Sequence, residues 1–253
     1  MVEGWLISAM TNYNNTSLEK KDSYVASLHM PGEILSKLVT WCFQSLPDEI
    51  LVGLDVDNNR ANNIETDELF RGVDFRNNLF AGQGFVIGDA QIVNRGDSFS
   101  VHHLPEEWTD GIFSESRGTR GGRFTHWLHT HPNAPAIPSG ADADAAQETE
   151  GVDLILGVAF SPEGPYHWYD DVEGERRPLA KTTVSSEINA NTPRWRIKSS
   201  NQSGRPVIGK APTGHSIHGL ELIAFHRSGV GVNVIFVDGE GMPYGWPFAE
   251  LNT

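Results

Sequence analysis

The sequence predicts an α/β protein: a β-sheet flanked by helices, with extensions at both ends. Three observations predict it. Residues 31–45 carry Ile34, Leu35, Leu38, Trp41 and Cys42 at the spacing of one helix face. Residues 153–160 carry, from Leu154 to Phe160, an unbroken apolar run of strand length, the pattern of a strand buried on both faces. Between them lie strand-like runs and, at Ser139, a Ser-x-x-Asp helix start ahead of an alanine-rich stretch.

Taken in order, residues 1–28 are polar and Asn-rich around Asn12–Asn15, which predicts an extension with one short element at most. Pro31 suits the first turn of the 31–45 helix, where a missing N–H costs nothing. Leu46-Pro47-Asp48 breaks that helix, and residues 49–54 read as a strand. Residues 55–63 and 76–78 are turn-rich. Residues 85–88, 90–93 and 98–102 read as three further strands, and 104–123 as an exposed loop. Residues 124–131 form a strand, 139–148 a short helix, and 166–169 the hairpin partner of the 153–160 strand. Residues 172–213 lack apolar pattern and read as a polar, basic linker or long loop. In the last segment, 220–225 and 230–237 flank Ser228-Gly229 as a hairpin that extends or covers the sheet, being too short to stand alone. The organisation expected is therefore an extension (1–28), a core (29–171), the linker (172–213) and a C-terminal hairpin extension packed on the core (214–253).

With 253 residues, 38% hydrophobic and 21% charged, the chain has the composition of a globular domain. The net charge of −14 disfavours broad nucleic-acid binding, because no basic stripe is there to release phosphate counterions. Basic residues do gather from Arg176 to Lys210, within the polar linker. No apolar run approaches the roughly 18–20 residues of a membrane span, and the first residues lack the features of a signal peptide. The single cysteine, Cys42, excludes an intramolecular disulfide and thiolate zinc clusters. These features set the expectation of a cytoplasmic protein without membrane or nucleic-acid partners.

The chemistry concentrates in His129-Thr130-His131-Pro132, followed by Ser139 and Asp142. Two histidines one residue apart lie on the same face of a strand. Two neutral imidazoles and one carboxylate suit a catalytic Zn2+ with one position left open for water. Ser139 and Asp142 also fit a capping box, so capping and ligation compete for the Asp142 carboxylate. Asp144 points away from Asp142 on a helix and is expected to be solvated. His102, His103 and His126 are expected to lie at the surface or to support the metal ligands, rather than to extend the metal centre. Trp108 is a candidate substrate contact, Trp127 is expected in the core, and Arg120-Gly121-Gly122 reads as loop flexibility.

This motif resembles the metal site of the JAMM (MPN-plus) family, zinc isopeptidases that cut ubiquitin and ubiquitin-like conjugates. The resemblance covers residues 29–170 by order of elements: helix, proline-glutamate strand, further strands, His-Thr-His-Pro, Ser-x-x-Asp helix, buried strand. It implies the cytidine-deaminase-like curved mixed sheet of MPN domains, with zinc on His129, His131 and Asp142. It also implies that Glu49, in Pro47-Asp48-Glu49-Ile50, is the general base; were the match through Pro47 wrong, Glu65 or Glu68 would be next in line. Ser139 would help hold the oxyanion. The chain departs from the family pattern after the glutamate, where Gly53-Leu54-Asp55-Val56-Asp57 runs into a polar loop.

The activity implied is hydrolysis of the bond after the C-terminal glycine of a ubiquitin-like modifier, with the 104–123 loop as a substrate clamp. The same motif serves a peptidase acting on sulfur-carrier proteins or small amide conjugates. A non-enzymatic MPN-type scaffold is the reading from a different class; an intact ligand set opposes it.

Overall fold

The computed structural model describes residues 2–46, 48–76, 79, 85–96, 124–161, 168–170, 176–178, 205–211 and 214–248. The expected strand at 98–102, the loop 104–123, His102, His103, Trp108, Arg120-Gly121-Gly122, Pro47 and most of 172–213 lie outside these residues. Among the described residues the fold is mixed α/β, a curled eight-stranded sheet flanked by helices.

The chain begins with α1 (Gly4–Glu19), where only a short element was expected. Its buried stripe is Leu6, Met10, Asn14 and Ser17, at helical spacing but half polar, so hydrophobic periodicity alone does not reveal it. The polar half is fully satisfied. Asn14 donates through Nδ2 to the carbonyls of Phe236 (2.8 Å) and Tyr244 (3.0 Å), and its Oδ1 accepts from the Phe236 N–H (2.9 Å). Ser17 hydrogen-bonds the Asn233 side chain. Strand β1 (Ser27–Pro31) then leads directly into α2 (Gly32–Ser45), so Pro31 caps the helix from outside rather than filling its first turn. Of the predicted face of α2, Ile34, Leu35, Leu38 and Cys42 lie in the core, joined by Val39 and Phe43, while Trp41 is partly buried and packs against it.

Strands β2 (Ile50–Val56), β3 (Phe85–Arg95), β4 (His126–Pro132) and β5 (Val152–Ser161) follow, with α3 (Ile64–Phe70) before β3 and α4 (Gly140–Ala146) before β5. The two short strands expected at 85–88 and 90–93 are one eleven-residue strand. A small separate pair, β6 (Trp168–Asp170) with β7 (Arg176–Pro178), corrects the expected hairpin between 166–169 and β5. The antiparallel partner of β5 is instead β9 (Ser216–His226), which β8 (Gly209–Lys210) also joins. Strand β10 (Asn233–Val237) completes the set.

The sheet order is β10-β1-β3-β2-β4-β5-β9-β8. The expected turn at Ser228-Gly229 forms, with Gly229 at φ 80° and its N–H on the His226 carbonyl. The expected hairpin is confined to the chain beside the turn, where Phe225 and Gly231 form an antiparallel bridge and the His226 N–H donates to the Val230 carbonyl at 3.0 Å. β9 pairs with β5 near one end of the sheet, and β10 runs parallel to β1 at the other. Only segment 227–232 joins them, and the Val232 N–H reaches the Ala224 carbonyl at 2.9 Å, so the sheet curls until these strands approach each other.

The curl gives the sheet two unlike faces. Val52, Leu128, Leu154, Leu156 and Leu222 belong to the main core with α1 and α2. On the opposite face Leu51 and Trp127 form a smaller cluster with Val93 and Phe124. Gly53 serves this cluster: a Cβ there would sit 2.4 Å from the Phe124 ring, so any side chain would displace it.

Candidate metal centre

Strand β4 lies between antiparallel β2 and parallel β5, so its backbone is fixed from both sides. Its side chains alternate. Leu128 and Thr130 turn to the main core, while Trp127, His129 and His131 share the other face. His129 is buried and His131 partly so, with their Nε2 atoms 3.0 Å apart.

After Pro132 the chain turns at Asn133, whose φ of 54° is a left-handed conformation that asparagine tolerates better than most residues. The turn is tied to β5: the Asn133 N–H donates to the Val158 carbonyl (2.7 Å), and Asn133 Oδ1 accepts from the Phe160 N–H (2.8 Å). It presents the Pro135 carbonyl 3.0 Å from His131 Nδ1. In the neutral ring that bond places the proton on Nδ1 and leaves the Nε2 lone pair for a ligand.

Helix α4 then supplies Asp142, whose carboxylate caps the helix and faces the histidines at once. Oδ2 accepts from the Ser139 N–H at 2.6 Å while Ser139 Oγ accepts from the Asp142 N–H at 3.2 Å, a complete capping box. Oδ1 lies 3.2 Å from His129 Nε2, and Oδ2 also lies 3.6 Å from His131 Nε2. The cap thus aims the carboxylate at the histidines.

The donor set fits a small tetrahedral ion. Metal–ligand bonds of about 2.0–2.2 Å place tetrahedral ligands roughly 3.3–3.6 Å apart, close to the 3.0, 3.2 and 3.6 Å separations here. Among the described residues, His129, His131 and Asp142 form a buried group able to hold a metal ion. Burial by itself lowers the pKa of His131. The Asp142 carboxylate, the Pro135 carbonyl and the charge of Glu49 override it, and the net shift is upward. These groups favour positive charge at His131.

Glu49 is buried immediately before β2, and its charge reaches the His131 ring. Its carbonyl accepts from the Gly96 N–H at 2.9 Å, and the next N–H, of Ile50, donates to Thr130 Oγ1 at 3.0 Å. Thr130 thus ties the start of β2 to the strand that carries both histidines, and it also hydrogen-bonds Cys42. Sequence reasoning missed this role, although a threonine on the core face of a strand needs some such partner. Ser139 is exposed at the helix start and Asp144 is exposed, as expected.

His126 is three residues from His129 and so on the other face. Its Nδ1 accepts from the Val152 N–H (2.9 Å), and burial pushes its pKa down to about 3, so it is a neutral structural residue. Trp127 is buried in the smaller cluster, as expected.

No protein-family model matches this chain, and no curated protein matches it. Among the described residues, no helix is long and apolar enough to cross a membrane.

Proposed function

We propose that the chain is a zinc peptidase of the JAMM/MPN-plus type, cleaving the bond after the C-terminal glycine of ubiquitin-like modifiers. The observation that carries this reading is the meeting of His129, His131 and Asp142 at tetrahedral spacing, with the buried Glu49 carboxylate close enough to act on His131. A merely structural zinc site has four protein ligands, whereas three leave a position open for chemistry.

His129, His131 and Asp142 would hold the ion. Zinc bound there supplies Lewis acidity, which polarises a carbonyl and brings the pKa of a water to about 7. Glu49 takes the proton of the attacking water and returns it to the leaving lysine amine, so one carboxylate is base and then acid. Ser139 Oγ already accepts from the Asp142 N–H, which leaves its hydroxyl proton to donate outward. Aimed at the oxyanion, a single donor of this kind is worth roughly 3–4 kcal/mol.

The same residues serve a peptidase of sulfur-carrier conjugates or small amides equally well, and the panel that tests the reading includes both. The zinc-loaded protein is incubated with conjugates of ubiquitin-like and sulfur-carrier proteins, and products are identified by mass. Release of a modifier ending in free glycine is expected. A zinc-bound protein that cleaves none of them would support the scaffold reading instead.

A further inference from the structure

Three residues form a row across the sheet: His131 on β4 pairs with Gly157 on β5, and Gly157 with Glu221 on β9. Paired positions share a face, so Glu221 lies on the side that carries the metal-directed histidines. Gly157 leaves the middle of the row without a side chain, and the turn after Asn133 settles into that space. A Cβ on Gly157 would stand only 3.0 Å from the Ala134 carbonyl oxygen and the Ala136 nitrogen.

In that space the Ala136 N–H donates to Glu221 Oε2 at 3.2 Å, and the Pro135 carbonyl lies 3.0 Å from His131 Nδ1. These two groups belong to a single peptide unit. A trans peptide is planar with its C=O and N–H directed oppositely, so fixing the N–H fixes the aim of the carbonyl. A carboxylate on the N–H also polarises the unit and makes the carbonyl a better acceptor.

We infer that Glu221 is a positioning residue for His131, acting through the Pro135–Ala136 peptide. It holds the carbonyl that keeps the proton on His131 Nδ1 and so keeps Nε2 available. Partners of this kind to metal-ligating histidines orient the ring and raise its basicity. The relay is invisible to motif reading, because Glu221 is remote in sequence and exposed, and it meets the turn only through strand pairing.

The zinc part of this inference rests on the proposed metal site; the tautomer part does not. Two variants separate the effects: Glu221→Ala removes the acceptor, and Glu221→Gln keeps an acceptor oxygen without the charge. Ring-nitrogen NMR on metal-free protein, under alkaline conditions where the ring is neutral, reads the tautomer of His131. The Nδ1–H form is expected to dominate in the unsubstituted chain and in Glu221→Gln, and to mix with the Nε2–H form in Glu221→Ala. Zinc affinity, read by chelator competition, is expected to fall about 10–100-fold in Glu221→Ala and less in Glu221→Gln. Unchanged tautomer and affinity in Glu221→Ala would overturn the inference. So would a dominant Nε2–H form in the unsubstituted chain, an outcome that can be read even if Glu221→Ala does not fold. A chain that binds no zinc yet shows the expected tautomers would fail the metal reading alone.

Discussion

Glu49→Gln is expected to retain zinc and the fold while losing turnover by about 10²–10⁴-fold, the range for removal of a general acid–base group. The substitution is nearly isosteric at a buried position, so it neither opens a cavity nor changes the strand start. The Gly96 N–H bond goes to the Glu49 main-chain carbonyl, and the neighbouring anchor is the Ile50 N–H on Thr130; neither involves the carboxylate. What is lost is the ability to take and return a proton. KM should change little, because in the proposed mechanism the carboxylate serves the attacking water and not the modifier. Steady-state kinetics on a cleaved conjugate, with metal content measured on the same sample, checks both halves. Near wild-type turnover would place the base elsewhere. Glu65 and Glu68 are poor replacements: both are exposed on α3, and α3 is hydrogen-bonded through Thr66 to Gly241, beyond β10.

Asp142 carries the second large effect, and two substitutions divide its two roles. Asp142→Asn keeps an oxygen able to accept from the Ser139 N–H, so the helix start survives, but the charge facing His129 is gone. Zinc affinity is expected to fall more than about 100-fold, beyond what loss of a supporting partner costs. Asp142→Ala also removes the acceptor of the Ser139 N–H, one half of the capping box, and it should be less stable than the asparagine variant by about 0.5–1.5 kcal/mol in metal-free urea unfolding. Equal stability of the two would show that this half of the box contributes nothing. Wild-type zinc content in either, with Asp144 taking the ion, would show that Asp142 is not the ligand.

The site is more legible in the sequence than the fold around it, because most of it is local. His129 and His131 share a face by strand geometry alone, and Asp142 is delivered one turn later by a helix start that Ser139 announces. Glu49 is different. Nothing near it in sequence marks it out except the family resemblance, and its approach to His131 is set by β2 pairing with β4. The same contrast runs through the fold. α2 and β5 are legible because their burial is purely apolar, whereas α1 is hidden because Asn14 and Ser17 occupy its buried stripe and are satisfied by β10 and the chain beyond it. The turn at Ser228-Gly229 is likewise legible from its residues. That its two strands then part to opposite regions of a curled sheet depends on β1 and β5, which no local pattern near the turn encodes.

Metal analysis of the purified chain, after zinc loading and removal of free metal, tests whether His129, His131 and Asp142 hold a catalytic zinc. About one zinc per chain is expected, falling to background in His129→Ala while circular dichroism shows the fold retained. A folded wild-type chain that keeps no zinc, or a His129→Ala variant that keeps as much as wild type, would contradict that reading.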